Sequence, residues 1–256
     1  MDFIYLLILS AIQGITEFLP ISSQSHLILA SFFLDMVDQG VGFDIALHFG
    51  SLIAILIYYR YEVRKIFSLS QEGIVYLKLI VLGSIPLPII GLLFIDIVSI
   101  NMRTIFSISI MTIIFALILY IADMKKKETI RKLSSLNILT IIFIGFMQTL
   151  AIIPGVSRSG IVITAALLAK FSREDSIKIA FLLSMPAIFM ATIYQSMELY
   201  KLGNFEIINE YLLGAFLSFI FSYTTIYLFI STINKVSFTP YVIYRLILGI
   251  SLFGFV

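Results

Sequence analysis

The sequence predicts an all-α polytopic membrane protein that folds as a single domain over residues 1–256. Hydrophobic residues make up 60% of the chain and charged residues only 12%, whereas soluble domains contain about 25% charged residues. The mean hydropathy is +1.08, and several apolar runs approach the ~20 residues that a helix needs to cross a bilayer. These observations leave little room for a soluble globular protein.

Two of the apolar runs are interrupted by polar residues. The first interruption, QGITEFLPISSQSH over residues 13–26, separates two apolar runs that are each too short to cross a bilayer. The second, QTLAIIPGVSRSG over residues 148–160, follows about half a chain later. Non-helical backbone at membrane depth is tolerated only where protein or a water-filled cavity satisfies its polar groups. We therefore predict two re-entrant helical hairpins whose tips meet inside the membrane and form one site for a phosphate group.

Three apolar spans follow each interrupted segment. Hydropathy predicts them at residues 43–59, 74–95 and 104–122 in the first half, and at about 176–197, 211–230 and 241–256 in the second. Pro86 and Pro88 lie inside the second span, where prolines bend a membrane helix. The order predicts pseudo-repeats over residues 1–122 and 136–256, joined by a basic linker over residues 123–135.

The distribution of charge predicts that the two repeats are inverted. If the linker is cytoplasmic, eleven Lys and Arg residues lie in inside loops, whereas the outside loops carry only Arg103 and Lys201. Each half is then a re-entrant helical hairpin plus three transmembrane helices, and the hairpins enter from opposite faces. Such inverted repeats place a site near the midplane. Residues of the two interruptions also recur at nearly the same spacing: Gln13, Pro20 and Ser23 against Gln148, Pro154 and Ser157.

The second interruption has the chemistry of an anion site. Gly155 and Gly160 permit unusual backbone angles, and the segment opens onto the start of a helix, where exposed N–H groups attract anions. Arg158 adds a planar fork suited to a phosphate, and Ser157 and Ser159 add hydroxyl donors. A buried arginine costs at least about 2.5 kcal/mol on insertion scales, so we expect Arg158 to have a partner or a ligand.

The first interruption has the chemistry of proton transfer. Glu17 lies one helical turn after Gln13, so both can face one side. Ser23 and His26 are three residues apart, and an imidazole can take a hydroxyl proton while a carboxylate such as Glu17 orients that base or holds a divalent ion. Alternatively, Ser22 and Ser23 only cap the following helix.

Structural alternatives are open for the remaining ionisable residues. Arg158 can simply pair with Glu17 and join the two hairpins. Arg245 either adds a phosphate contact or extends to the inner membrane interface. Asp44 and His48 are four residues apart, which favours a structural pair on one helix.

Taken together, QGITEFLPISS with His26 after it, and PGVSRSG in the second half, resemble the undecaprenyl-pyrophosphate phosphatase family of the bacitracin-resistance type. The similarity extends over the chain and includes FDIALHFGS and PYVIYR. It implies a multi-pass hydrolase of the bacterial cytoplasmic membrane that converts the C55 lipid pyrophosphate to the monophosphate. That reaction recycles the lipid carrier of cell-wall synthesis and confers bacitracin resistance, from an active site reached at the outer face.

The resemblance also assigns roles by position. It implies Ser23 as the nucleophile, with an activated water as the alternative, His26 as its acid/base partner and Glu17 as the catalytic carboxylate. Gln13 stands where other members have glutamate, so the carboxylate work falls to Glu17 alone. The expected phosphate-binding residues are Ser22, Ser157, Arg158, Ser159 and Gly160, supported by Gln13 and Arg245.

The expected cofactors and partners are few. The chain has no cysteine, which excludes thiolate metal sites, and its two histidines are too few for an all-histidine site. A divalent cation, Mg²⁺ or Ca²⁺, held through Glu17 is compatible, and no organic cofactor is expected. The expected partners are a polyprenyl pyrophosphate and membrane lipids, with room for a homodimer and no nucleic acid. A polyprenyl-phosphate flippase that uses the same midplane site is the competing function.

Overall fold

The computed structural model of the protein describes residues 3–33, 41–125, 130–202, 208–233 and 235–255, and throughout these ranges the regular elements are helices. This confirms the all-α prediction. The α-helices are α1 Phe3–Thr16, α2 Ser23–Phe33, α3 Val41–Tyr58, α4 Arg60–Phe67, α5 Gln71–Ser84, α6 Pro86–Asn101, α7 Ile105–Met124, α8 Ile138–Thr149, α9 Arg158–Leu168, α10 Arg173–Leu202, α11 Ile208–Ile233 and α12 Thr239–Leu252. Short 3₁₀ turns cover Leu133–Ser135, Leu150–Ile152 and Phe253–Phe255.

Four stretches of the described chain are long and apolar enough to cross a membrane: Gln71–Phe94, Ile105–Met124, Arg173–Tyr194 and Asn209–Ile233. The helices α3 and α4 would form a fifth span, although they are bent by 74° between them. This confirms a multi-pass membrane protein. The last predicted span, at residues 241–256, is instead the 14-residue helix α12, which is shorter than a bilayer requires.

Each interrupted segment forms two short helices that pack against each other. The helices α1 and α2 have 14 and 11 residues, and α8 and α9 have 12 and 11. At about 1.5 Å per residue, none of them reaches across the ~30 Å of hydrocarbon. Because α1 contacts α2 and α8 contacts α9, the arrangement fits the predicted hairpins. Their entry from opposite faces of a membrane stays a prediction.

The two halves of the chain interleave. Helix α1 packs on α11 of the second half, and α8 packs on α5 of the first; likewise α3 packs on α11 and α10 packs on α5. These contacts correspond in pairs, as a repeat requires. At the end of the first half, Asp123 accepts two hydrogen bonds from Arg173 at 2.6 and 3.0 Å and one from the N–H of Phe238 at 3.1 Å. Part of the predicted linker, residues 126–129, lies outside the described residues.

Small residues allow the helices of the two halves to approach closely. A Cβ atom at Gly145 of α8 would lie 2.6 Å from the carbonyl oxygen of Gly83 in α5, which only glycine can accommodate. Hydroxyl groups join α3 and α11, where Ser218 donates to the carbonyl of Leu47 at 2.8 Å. Small and hydroxyl residues are typical of helix interfaces in membranes, where close van der Waals packing and hydrogen bonds replace the hydrophobic effect. This packing fixes the positions of the two interrupted segments.

Candidate active site

A serine in an unusual backbone conformation precedes the second helix of each hairpin. Ser22 (φ 74°) comes directly before α2, and Ser157 (φ 69°) comes directly before α9. Positive φ costs a non-glycine residue about 1–3 kcal/mol, and such strain clusters at functional sites. In each case the serine carbonyl accepts the first helical hydrogen bond, from His26 at 3.3 Å and from Ile161 at 2.9 Å.

These cap positions correct the correspondence that the sequence suggests. Aligning Pro20 with Pro154 matches Ser23 to Ser157, but the cap residue that matches Ser157 in structure is Ser22. The segment between Pro154 and α9 is therefore one residue longer than the segment between Pro20 and α2. Ser23 is the first residue of α2, so its hydroxyl is free of the cap position and points elsewhere. Capping thus accounts for the position of Ser22 and not for that of Ser23.

The tips of the two hairpins meet, as the sequence predicts. The Nη2 atom of Arg158 donates to Oε1 of Glu17 at 2.6 Å, and the two side chains are only 14% and 7% exposed. A second bond crosses beside it, from the Ser159 hydroxyl to the carbonyl of Leu19 at 2.8 Å. An ion pair this deeply buried is stable only when further hydrogen bonds satisfy its remaining atoms.

Glu17 receives those further bonds through its other oxygen. The Ser23 hydroxyl donates to Oε2 at 2.6 Å, and Nε2 of Gln13 donates to the same oxygen at 3.0 Å. Gln13 is fully buried one turn before Glu17, as its spacing predicts. A hydroxyl in a short bond with a carboxylate is the arrangement in which a general base activates a nucleophile.

His26 lies beside this group without bonding to Ser23. Its Nδ1 atom is 2.7 Å from the carbonyl oxygen of Ser22, and its Nε2 atom is 2.6 Å from the hydroxyl of Tyr244 on α12. A carbonyl oxygen can only accept, so Nδ1 carries the proton in this bond. The rings of His26 and Tyr244 are nearly parallel, with an interplanar angle of 11°. The imidazole therefore joins the first turn to α12, and its acid/base role stays a prediction.

A cavity of about 710 Å³ opens onto the paired residues. Its polar wall includes Glu17, Ser22, Ser23, Ser157 and Arg158, and its apolar lining comes from α1, α2, α6, α10 and the turn between α8 and α9. The lining excludes Ser159 and Gly160, which are buried behind it and bond to Leu19 and to Ser157. The predicted phosphate-binding residues thus divide into three that face the cavity and two that support them from within.

The guanidinium of Arg158 is only partly satisfied. The Nη2 atom is used by Glu17, whereas Nη1 is buried and has no hydrogen-bond partner among the residues that the structure describes. A buried donor without a partner costs about 1–3 kcal/mol, and more when it is charged. Arg158 lines the cavity, and Nη1 would reach an anion bound there only after a rotation of the guanidinium.

The family model described as Bacitracin resistance protein BacA matches residues 6–251 of the chain. The chain belongs to the BacA family. Among curated relatives, Undecaprenyl-diphosphatase 1 of Pseudoalteromonas translucida (strain TAC 125) is 42% identical over 264 residues, which cover 100% of this chain and 99% of the relative. Undecaprenyl-diphosphatase of Saccharophagus degradans is 39% identical over 265 residues, with 100% and 99% covered. That of Alteromonas mediterranea is 42% identical, with 98% and 97% covered.

In this member of the BacA family, Arg245 neither reaches the membrane interface nor lines the cavity. Its side chain is fully buried, so the expected extension to the membrane interface is wrong, and it does not line the cavity. The guanidinium instead donates to carbonyl oxygens of both turns, at Pro20 (3.2 Å), Gly155 (2.7 Å) and Val156 (3.2 Å). Carbonyls released where a helix is broken inside a membrane need such donors.

Sequence reasoning missed other residues at the cavity of this BacA-family chain. His48 was assigned to a structural pair with Asp44, and its Nδ1 atom does bond to the main-chain carbonyl of Asp44 at 2.8 Å. Both residues also line the cavity, as does Arg103 from the connection between α6 and α7. The four-residue spacing that predicts a pair also puts both side chains on one helix face. Tyr244 had no local signal beyond its place next to Arg245.

Proposed function

We propose that this protein is a membrane phosphatase that removes the terminal phosphate of undecaprenyl diphosphate. The relatives that match it over nearly their full length are named undecaprenyl-diphosphatase. The observation that carries the proposal is the guanidinium of Arg158, which lines the cavity, donates one nitrogen to Glu17 and has a second nitrogen that is buried without a partner among the described residues. A terminal phosphate would supply the missing acceptor and would lie next to Ser23, which also binds Glu17.

In the proposed reaction, Oγ of Ser23 attacks the terminal phosphorus and its proton passes to Oε2 of Glu17, 2.6 Å away. The bond from phosphorus to the bridging oxygen breaks, and undecaprenyl phosphate leaves. The departing phosphate oxygen takes the proton from Glu17. The ionised Glu17 then accepts a proton from the water that attacks the phosphoserine, and that proton returns to Oγ of Ser23 as inorganic phosphate leaves. Attack by a water directly, with the same base, is the alternative. In this scheme His26 holds the carbonyl of Ser22 and thereby orients Ser23, rather than taking its proton.

Charge stabilisation supplies most of the catalysis of phosphoryl transfer. Arg158 would contact the equatorial oxygens, and the N-terminus of α9 adds partial positive charge at the same place. Ser22 and Ser157 line the cavity, and their hydroxyl groups are bonded to Ser25 and to Ser159. Because this group of donors is already fixed by hydrogen bonds between the two turns, little reorganisation accompanies the reaction.

A divalent cation fits this site only with the help of the substrate. Across the described residues there is no group of three or more His, Asp or Glu side chains that could hold a metal ion. Mg²⁺, however, commonly binds one or two carboxylates together with substrate phosphates. Glu17 is the carboxylate that would hold it here, and the ion would offset the charge of the diphosphate.

The substrate and its surroundings complete the proposal. The apolar side of the cavity, with Leu9, Leu27 and Ile28, would receive the first isoprene units of the lipid. We place the protein in the bacterial cytoplasmic membrane with this cavity open to the outer face, where the reaction would recycle the cell-wall lipid carrier and confer bacitracin resistance. A homodimer is compatible with this arrangement. The names of the relatives describe hydrolysis, and they lend no support to the alternative of a flippase.

The test is release of phosphate from undecaprenyl diphosphate by the purified protein in detergent micelles, with and without Mg²⁺ or Ca²⁺. We expect release that is lost in Ser23→Ala and in Arg158→Ala. Ser251→Ala and Arg64→Ala are the matched controls, because both residues are exposed and away from the cavity. No release under any cation condition, or full release by the Arg158→Ala variant, would contradict the proposal.

A further inference from the structure

Arg245 is the largest side chain that is fully buried in the described part of the molecule, and it is charged. Its bonds go to main-chain carbonyls, and within the described residues no carboxylate lies within ion-pair distance of it. A buried guanidinium without a counter-ion is costly. Such a cost indicates that the position does something that an apolar residue could not.

The carbonyls that Arg245 binds belong to both interrupted segments. Pro20 is in the turn between α1 and α2, and Gly155 and Val156 are in the turn between α8 and α9. A guanidinium carries five donors in a rigid planar fork, so it can bind acceptors on two separate turns at once. A lysine ammonium is a point charge on a flexible stem and cannot fix the same spacing.

These carbonyls lie close in sequence to the reacting groups. Pro20 stands midway between Glu17 and Ser23, and Val156 comes two residues before Arg158. The separation of the two turns, which Arg245 bridges, therefore also sets the 2.6 Å contact between Glu17 and Arg158.

Gly160 leaves room for this bridge. A Cβ atom at Gly160 would lie 3.2 Å from Nη1 of Arg245 and 3.1 Å from Oγ of Ser157, both tighter than an ordinary contact. Gly160 sits in the first turn of α9 and does not line the cavity. Its lack of a side chain thus leaves room for the guanidinium of Arg245 and for Ser157.

We propose that Arg245 is a positioning residue that holds the two turns at the separation required for catalysis, without touching the substrate. The proposal rests on the function proposed above, but the separation of the turns can be measured without any activity. A displacement of about 1 Å at a catalytic group can cost about 100-fold in rate. We therefore expect Arg245→Lys to lower kcat about 100-fold while KM, which depends on the lipid and on Arg158, changes much less.

The separation can be measured by pulsed electron paramagnetic resonance, because the chain contains no cysteine and accepts a labelled pair without background. Spin labels at Tyr5→Cys and Leu168→Cys attach at exposed positions on α1 and α9, one in each hairpin. We expect a single narrow distance with Arg245 present, and a shifted or broadened one in Arg245→Lys. Glu17→Gln is the control: it removes the charge of the ion pair, keeps the bridge, and should keep the narrow distance while losing phosphate release.

A milder variant covers the case in which Arg245→Lys does not fold. Gly160→Ala crowds Nη1 of Arg245, and also Oγ of Ser157, without removing either, so the label distance shows whether the turns move apart. Gly91→Ala is its matched control, since a Cβ atom at Gly91 meets nothing within 4 Å. We expect the same loss of kcat in Gly160→Ala, smaller in size, and no change in Gly91→Ala. An unchanged distance in the labelled Arg245→Lys protein, or a shifted distance with unchanged kcat, would overturn the proposal. Failure of the unmodified protein to release phosphate would instead count against the proposed function.

Discussion

Replacing Glu17 by alanine removes the carboxylate that contacts Ser23, the proposed nucleophile, together with Arg158, the proposed phosphate ligand, and Gln13. Its two oxygens accept bonds from Arg158 at 2.6 Å, Ser23 at 2.6 Å and Gln13 at 3.0 Å. Loss of a general base alone lowers a rate by about 10²–10⁴-fold. Misplacement of Arg158 adds to this, so we expect kcat to fall by at least about 1,000-fold.

The variant Gln13→Ala provides the internal comparison. It removes only one of the three bonds to the carboxylate, and a hydrogen bond to a charged group is worth about 1.5–3 kcal/mol. At about 1.4 kcal/mol per factor of ten, kcat should fall about ten- to a hundredfold, clearly less than in Glu17→Ala.

Steady-state phosphate release from undecaprenyl diphosphate measures both variants. Thermal melting of the same samples distinguishes a loss of catalysis from a loss of stability. This control is needed because removing one partner of a buried ion pair costs about 3–5 kcal/mol of stability. Glu17→Gln keeps the size of the side chain and removes only its charge. Mild and equal losses of kcat in Glu17→Ala and Gln13→Ala would refute the role of Glu17 as base or ion ligand.

Two further variants test contacts that hold the site. Tyr244→Phe removes the 2.6 Å bond to Nε2 of His26 while keeping the parallel rings. Because such a bond is worth about 1 kcal/mol, we expect kcat to fall about fivefold. An unchanged kcat would contradict the role of this bond. Gly145→Ala places a Cβ atom 2.6 Å from the carbonyl oxygen of Gly83. We expect overpacking to lower the free energy of unfolding by about 1–3 kcal/mol, measured by thermal melting with Gly91→Ala as the control. Equal melting temperatures of the two variants would show that α5 and α8 can separate freely.

Hydropathy and polar interruptions predicted most of the architecture. The two breaks in apolar runs identified the hairpins, because a membrane allows non-helical backbone only where other groups satisfy it. The cost of burying an arginine predicted that Arg158 would have a partner or a ligand, and the structural alternative of a pair with Glu17 is what the side chains form. Local patterns of this kind can be interpreted from physical principles alone, without any knowledge of the tertiary fold.

Contacts between distant parts of the chain were beyond such reasoning. His26 and Tyr244 are 218 positions apart, and no periodicity connects them. The spacing of Ser23 and His26 predicted a bond that the side chains do not make, because the imidazole bonds to the carbonyl of Ser22 and the Ser23 hydroxyl bonds to Glu17 instead. Arg245 was expected at an interface because most long basic side chains reach water, and only the fold shows that both turns surround it.

The interleaved helices have a consequence for the order in which the protein can be synthesised and folded. A ribosome that has finished only the first half has made α1 and α5, whose neighbours α11 and α8 are still to be synthesised. No truncated product ending at the linker could therefore enclose a working cavity. For the same reason, the two interrupted segments can meet only after the second half of the chain has been made.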